Sequence, residues 1–201
     1  MISRQQWAII KKDVKSVVVN KQLFVPMLIL PLLFTVVVPS IFILIAIFAP
    51  IQSSDLQQLI QLIPRVTQGE NLRESIIRLM LNNMIPLFFL FIPIMVASIM
   101  AAGSFVGEKE KRTLETLYSA ISITKIFQAK VLASFLLSMF ISFISFVFLI
   151  FVVEGLLFFF LGKGILPGIA WALILFVVAP ALSLISIALI VRGSIKAKTI
   201  E

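Results

Sequence analysis

The sequence predicts an all-α protein, a polytopic transmembrane helix bundle of about four spans, and three observations carry that prediction. Of the 201 residues, 61% are hydrophobic and only 13% are charged, against an apolar share of roughly 45–50% in soluble domains. Four runs, at about 24–48, 85–105, 131–153 and 169–191, contain no ionisable side chain, and each has the roughly 20 residues that a helix needs to cross a hydrocarbon core. Nineteen Phe stand against one Tyr and two Trp, the aromatic balance of a surface that faces lipid tails rather than the interface.

Taken in order, the first residues hold no compact apolar stretch followed by a small-residue cleavage site, so no cleaved signal peptide is expected. Within residues 1–22, Trp7, Ile10, Val14, Val17 and Val18 recur at helical spacing, with Lys12, Asp13, Lys15 and Ser16 largely off that stripe. This pattern predicts an amphipathic helix on the inner membrane face, with a cytoplasmic extension of the first span as the alternative. Pro26, Pro31, Pro39, Pro86, Pro93 and Pro180 fall inside the apolar runs. A helix bundle can satisfy the carbonyls that they free, so they read as bends in embedded helices, with a gating hinge as the alternative. The long connection from about 49 to 84 carries Asn71 and Glu74 at capping-box spacing, followed by Leu72, Ile76, Leu79 and Met80 on one face, which predicts a helix leading into span two. A short second connection is expected near Glu154 to Gly168.

Charge sets the orientation. Thirteen Lys and Arg residues flank one side: Arg4, Lys11, Lys12, Lys15 and Lys21 before the first span, Lys109, Lys111, Arg112, Lys125 and Lys130 between spans two and three, and Arg192, Lys196 and Lys198 after the fourth. The other connections hold only Arg65, Arg73, Arg78 and Lys163, which predicts both termini and the middle connection in the cytoplasm of a multi-pass protein of the cell membrane. The formal net charge of +8 is thus spent on topology, and no nucleic-acid partner is expected. With no Cys and no His, the commonest nucleophile, general base and metal ligands are missing, so no catalytic residue, metal site or bound cofactor is expected in this chain.

Between spans two and three lies a densely charged segment, Gly107-Glu108-Lys109-Glu110-Lys111-Arg112-Thr113-Leu114-Glu115-Thr116-Leu117. As a helix over about 107–120 it pairs Glu108 with Arg112 and Lys111 with Glu115, each pair worth about 0.2–0.5 kcal/mol, and gathers Leu114, Leu117 and Tyr118 on one side. The order Glu108-x-Glu110, then Thr113-Leu114-Glu115-Thr116-Leu117, then a turn and Lys130 entering the next span, resembles the signature of the ABC-2 permease family. The resemblance implies a coupling helix that docks against a separate ATP-binding subunit, with Glu108, Glu110, Arg112, Thr113, Glu115 and Leu117 as its contacts. Two departures stand out. Where the family usually has a proline turn, this chain reads Ser119-Ala120-Ile121-Ser122. The family also typically has six spans against the four found here, which implies a truncated or incomplete permease.

No Gly-rich phosphate loop ending in Lys-Ser or Lys-Thr occurs, so ATP hydrolysis is expected in the partner and not in this chain. The resemblance therefore implies the permease subunit of an ATP-driven ABC exporter, working by alternating access beside a second permease copy or a related permease, in contact with membrane lipid. The alternatives are an ion-gradient-driven transporter or channel and a non-transporting membrane scaffold. The first usually needs ionisable groups inside the membrane; the runs hold only hydroxyls, Thr35, Ser40, Ser98, Ser134, Ser138, Ser142, Ser145, Ser183 and Ser186, read chiefly as packing residues. The transported substrate is not legible in the sequence.

Overall fold

The computed structural model describes residues 3–48, 72–106 and 122–196, and these fold into five helices with no strand. Helix α1 covers Arg4–Val19. The other four, α2 (Lys21–Phe48), α3 (Arg73–Phe105), α4 (Ile123–Leu161) and α5 (Ala170–Gly193), are each long and apolar enough to cross a membrane. The first three each contain one charge-free run and reach past it, and α5 holds the fourth run apart from Ile169, its N-cap. The run 131–153 is the middle of α4, which also carries Lys130 near one end and Glu154 near the other. The connection expected to start near Glu154 begins later than that: α4 continues to Leu161 and ends at Gly162, whose positive φ of 69° closes the last turn with an N–H bond to the Phe158 carbonyl.

The N-terminal helix starts on a capping box. Ser3 Oγ accepts the Gln6 N–H at 3.2 Å, and Gln6 Oε1 accepts the Ser3 N–H at 2.9 Å, so two donors that a helix start leaves orphaned are satisfied reciprocally. At the far end a single extended residue, Asn20, turns the chain, and its side chain accepts the Gln22 N–H at 3.1 Å to begin α2. The buried face of α1 differs from the expected stripe. Ile9, Ile10, Asp13 and Val17 are buried, whereas Trp7 and Val18 are exposed. The helix period sets positions 10, 13 and 17 on one face, turned toward α3 and α4, and the carboxylate in that row is buried because it has a cationic partner there.

Every proline foreseen inside an apolar run lies inside a helix, and three of them follow a widened turn. Five-residue π turns occupy Leu33–Val37, Met80–Met84 and Ile174–Val178, just ahead of Pro39, Pro86 and Pro180. In each case the residue before the proline, Val38, Ile85 or Ala179, donates its N–H to the carbonyl five residues back. A proline ring carries no N–H and crowds the carbonyl four residues before it; loosening that turn by one residue makes room without exposing backbone to lipid.

The expected helix before span two is present as Leu72–Leu79, with Ile76 and Met80 buried, while Asn71, its foreseen cap, lies outside the described residues. Packing between spans relies on small residues. Ser134, Ser138, Ser142 and Ser145 form one buried row on α4, and Ala97 and Ala101 of α3 pack with Ile187 and Val191 of α5. Most hydroxyls are used locally or across helices: Ser138 Oγ donates to the Pro93 carbonyl at 2.9 Å, Ser186 Oγ to the Ile94 carbonyl at 3.1 Å, and Ser98 and Ser186 share a 2.5 Å bond. Thr35, Ser40, Ser134 and Ser183 each donate to a carbonyl three or four residues back. Among the described residues, Ser75 Oγ and Ser142 Oγ are buried without a partner.

The largest fully buried side chain is Trp171, which packs against Phe89 and Phe146 at centroid distances of 5.5 and 5.4 Å and donates Nε1–H to the Leu81 carbonyl at 3.1 Å. It thereby fastens the start of α5 to the π turn of α3. Trp171→Phe keeps a ring and removes only the donor, for an expected loss of about 1 kcal/mol. Trp171→Ala also opens a cavity between three helices, for an expected loss of about 3–5 kcal/mol. Thermal unfolding of the detergent-solubilised protein should rank native above Phe above Ala; equal midpoints would show that this residue does not pin the two helices.

Candidate functional site

The coupling contacts expected from the sequence, Glu108, Glu110, Arg112, Thr113, Glu115 and Leu117, all lie outside the described residues. Lys130, the basic residue that closes the motif, lies within them, as do the two stems of the segment: the end of α3 and the start of α4. At those stems the structure brings together a group of polar side chains that the sequence did not reveal as a unit.

Lys130 sits two turns into α4 and is only 1% exposed. Its Nζ donates to the Ser104 carbonyl at 2.7 Å and to Ser104 Oγ at 3.2 Å, and pairs with Asp13 Oδ2 at 3.3 Å. Ser104 Oγ donates in turn to the same Asp13 oxygen, and the ammonium lies 5.5 Å from the Phe105 ring centroid. Asp13 is 3% exposed and Ser104 is 4% exposed. Three helices thus contribute one member each: α1 the carboxylate, α3 the hydroxyl and carbonyl, α4 the cation. The Ser104 carbonyl lies in the fourth π turn, Ala102–Val106, which has no following proline. A fourth helix closes in beside it, since a Cβ on Gly103 would come within 2.8 Å of Leu23 Cδ1 of α2.

Removing two charges from water costs several kcal/mol for each ion, and only close pairing with added hydrogen bonds offsets that cost. The arrangement meets that requirement with a shared oxygen, a carbonyl, a hydroxyl and a ring face. Chemically it can hold and orient: the Ser104 hydroxyl and the Lys130 ammonium both bond Asp13 Oδ2, and among the described residues no group of acidic side chains is placed to bind a metal ion. A faint signal for Asp13 was available in the sequence. It is the only carboxylate before Asp55, stands among Lys11, Lys12 and Lys15, and lies three residues after Ile10 and four before Val17. Ser104 and Phe105 gave no signal, because their role depends on how α3 meets α4.

The opposite end of the bundle is held differently. Lys163 Nζ pairs with Glu74 Oε1 at 2.7 Å, and the Gly168 N–H donates to Asn82 Oδ1 at 2.8 Å. The turn after α4 folds over Glu154 so closely that a Cβ on Gly164 would lie 2.0 Å from its Oε2. These contacts tie the α4–α5 turn to α3.

Four apolar helices long enough to span, with small-residue packing between them, define a polytopic membrane helix bundle. The family model described as ABC-2 family transporter protein matches residues 7–198, nearly the whole chain and all five helices, and the chain belongs to that family. It is a multi-pass membrane protein of the permease type. No curated relative and no solved structure matches it.

The buried pair makes a sharp energetic prediction. Asp13→Leu alone leaves an uncompensated buried ammonium and Lys130→Met alone an uncompensated carboxylate, each with an expected cost of about 3–5 kcal/mol. The double variant removes both charges and should recover most of that loss. A double-mutant cycle on thermal unfolding in detergent measures the difference, and strict additivity of the two single losses would show that the residues do not interact.

Proposed function

We propose that this chain is the permease subunit of an ATP-driven ABC exporter, forming the translocation path and coupling to a separate ATP-binding subunit. The observation that carries the reading is the family match across residues 7–198. The positive flanks support a plasma-membrane protein with both termini and the 107–121 segment in the cytoplasm, where an ATPase can reach that segment. Within it, Glu108, Glu110, Arg112, Thr113, Glu115 and Leu117 are the proposed docking contacts, charges of both signs around an apolar centre. The translocation path is completed by a second permease copy or a related permease.

In this reading Asp13, Ser104 and Lys130 are positioning residues. They join α1 to both stems of the docking segment, so a push on that segment moves the interfacial helix and the ends of two spans together. The pair is closed on itself by direct contacts, a geometry that suits a mechanical joint better than an ion relay.

The test is to affinity-purify the tagged chain from its native membrane in mild detergent and identify associated ATPases by mass spectrometry. The native chain should retain an ABC ATPase, and the Glu108→Ala, Glu115→Ala double variant should lose at least tenfold of it at equal permease yield. Absence of any ATPase from the native complex would overturn the exporter reading.

A further inference from the structure

Beside the buried polar group, an open groove of about 490 Å³ runs between α1, α4 and α5, within the usual size range of small-molecule sites. Its upper walls are apolar: Leu132 and Phe135 on α4 face Leu184 on α5. Its lower part is polar, where Gln6 of α1 donates Nε2–H to Gln128 Oε1 at 3.3 Å and to the Lys125 carbonyl at 3.4 Å. Helical spacing then places a cation at the foot of each wall. Lys125, Gln128, Leu132 and Phe135 follow one another at three- and four-residue steps along a single face of α4. Arg192 stands eight residues, two turns, after Leu184 on the same face of α5. Because Val191 of α5 packs in one cluster with Ala101, Phe105 and Val131, Arg192 and Lys125 lie at the same end of the bundle. Both are exposed, and neither lining nor rim holds a carboxylate among the described residues.

From the cations upward, the groove changes within about 12–15 Å from charge to amide to hydrocarbon, at 1.5 Å of rise per helical residue. That sequence matches one molecule, a phospholipid lying along the helices. We propose that the groove is a binding site for an anionic phospholipid, with Lys125 and Arg192 holding the headgroup phosphate, Gln128, oriented by Gln6, donating Nε2–H to its oxygens and Leu132, Phe135 and Leu184 flanking an acyl chain. Two cations, with no carboxylate beside them among the described residues, favour an anionic headgroup over a zwitterionic one. The lipid bridges α1, α4 and α5, next to the Asp13–Lys130 joint. This site does not depend on the proposed ATPase partner.

Native mass spectrometry of the delipidated protein in detergent, titrated separately with phosphatidylglycerol and phosphatidylcholine, tests it. Each basic side chain near an anionic lipid contributes about fivefold in affinity, so Lys125→Gln, Arg192→Gln should weaken phosphatidylglycerol binding roughly thirtyfold. The same variant should leave phosphatidylcholine binding unchanged. Lys15→Gln, which removes a basic residue of α1 that does not line the groove, should leave phosphatidylglycerol binding intact. Both substituted cations are exposed, so the variant should melt at the native temperature. Equal binding of the two lipids by the native protein, or equal losses from Lys15→Gln and from the groove variant, would overturn the proposal in favour of general surface attraction. Displacement of the lipid by a second copy of the chain, seen as a dimer that excludes the adduct, would overturn it in favour of a subunit interface.

Discussion

A polar group in hydrocarbon has no water to bond, and each one left unpaired costs several kcal/mol. Most of the local structure of this protein answers that constraint. Backbone polarity is satisfied by making nearly everything helical, and the points where the helices are interrupted show the same bookkeeping. Three π turns stand ahead of Pro39, Pro86 and Pro180, where a regular turn would force a ring against a carbonyl. Hydroxyls on facing spans add a second layer of satisfaction: Ser138 and Ser186 reach carbonyls of α3, not a lumen.

The same constraint explains why the charged groups lie at the ends of the bundle and why they take different forms there. Glu74 and Lys163 pair where Lys163 is still about half exposed, so their attraction is screened and contributes little by itself. Asp13 and Lys130 are nearly dry, and their attraction is unscreened but set against a heavy desolvation cost. A pair of the first kind adjusts easily when a turn moves. One of the second kind holds its geometry until water enters, because partial separation loses attraction before hydration is regained. The α1 end is therefore tied through one dry polar group to the ends of α3 and α4.

Much of this architecture is legible in the sequence because the bilayer imposes a length and a polarity on each span. Charge-free runs locate the four long helices, and positive flanks suggest an orientation. What the sequence conceals is which side of each helix faces protein. For a soluble helix the apolar stripe marks the buried face; here lipid accepts apolar residues on any face, so Trp7 and Val18 point outward while Asp13 points inward. Periodicity alone ranks these residues in the wrong order. The group at Ser104 was hidden for a further reason: it depends on a π turn with no proline to announce it.

The groove and the buried pair share a wall, and that proximity limits how the α1 end can move. Ala129 and Val131, which line the groove, flank Lys130 in the chain, so a rotation of α4 that drew Lys130 away from Asp13 would also turn Gln128 and Leu132 relative to α5. Whatever fills the groove thus biases the joint through α4 itself, with no separate relay needed. A ligand shifts such an equilibrium only by its difference in affinity between the two arrangements. An occupant that touches three helices has contacts to lose on any of them, and in a protein whose solvent is lipid the occupant present at highest concentration is lipid.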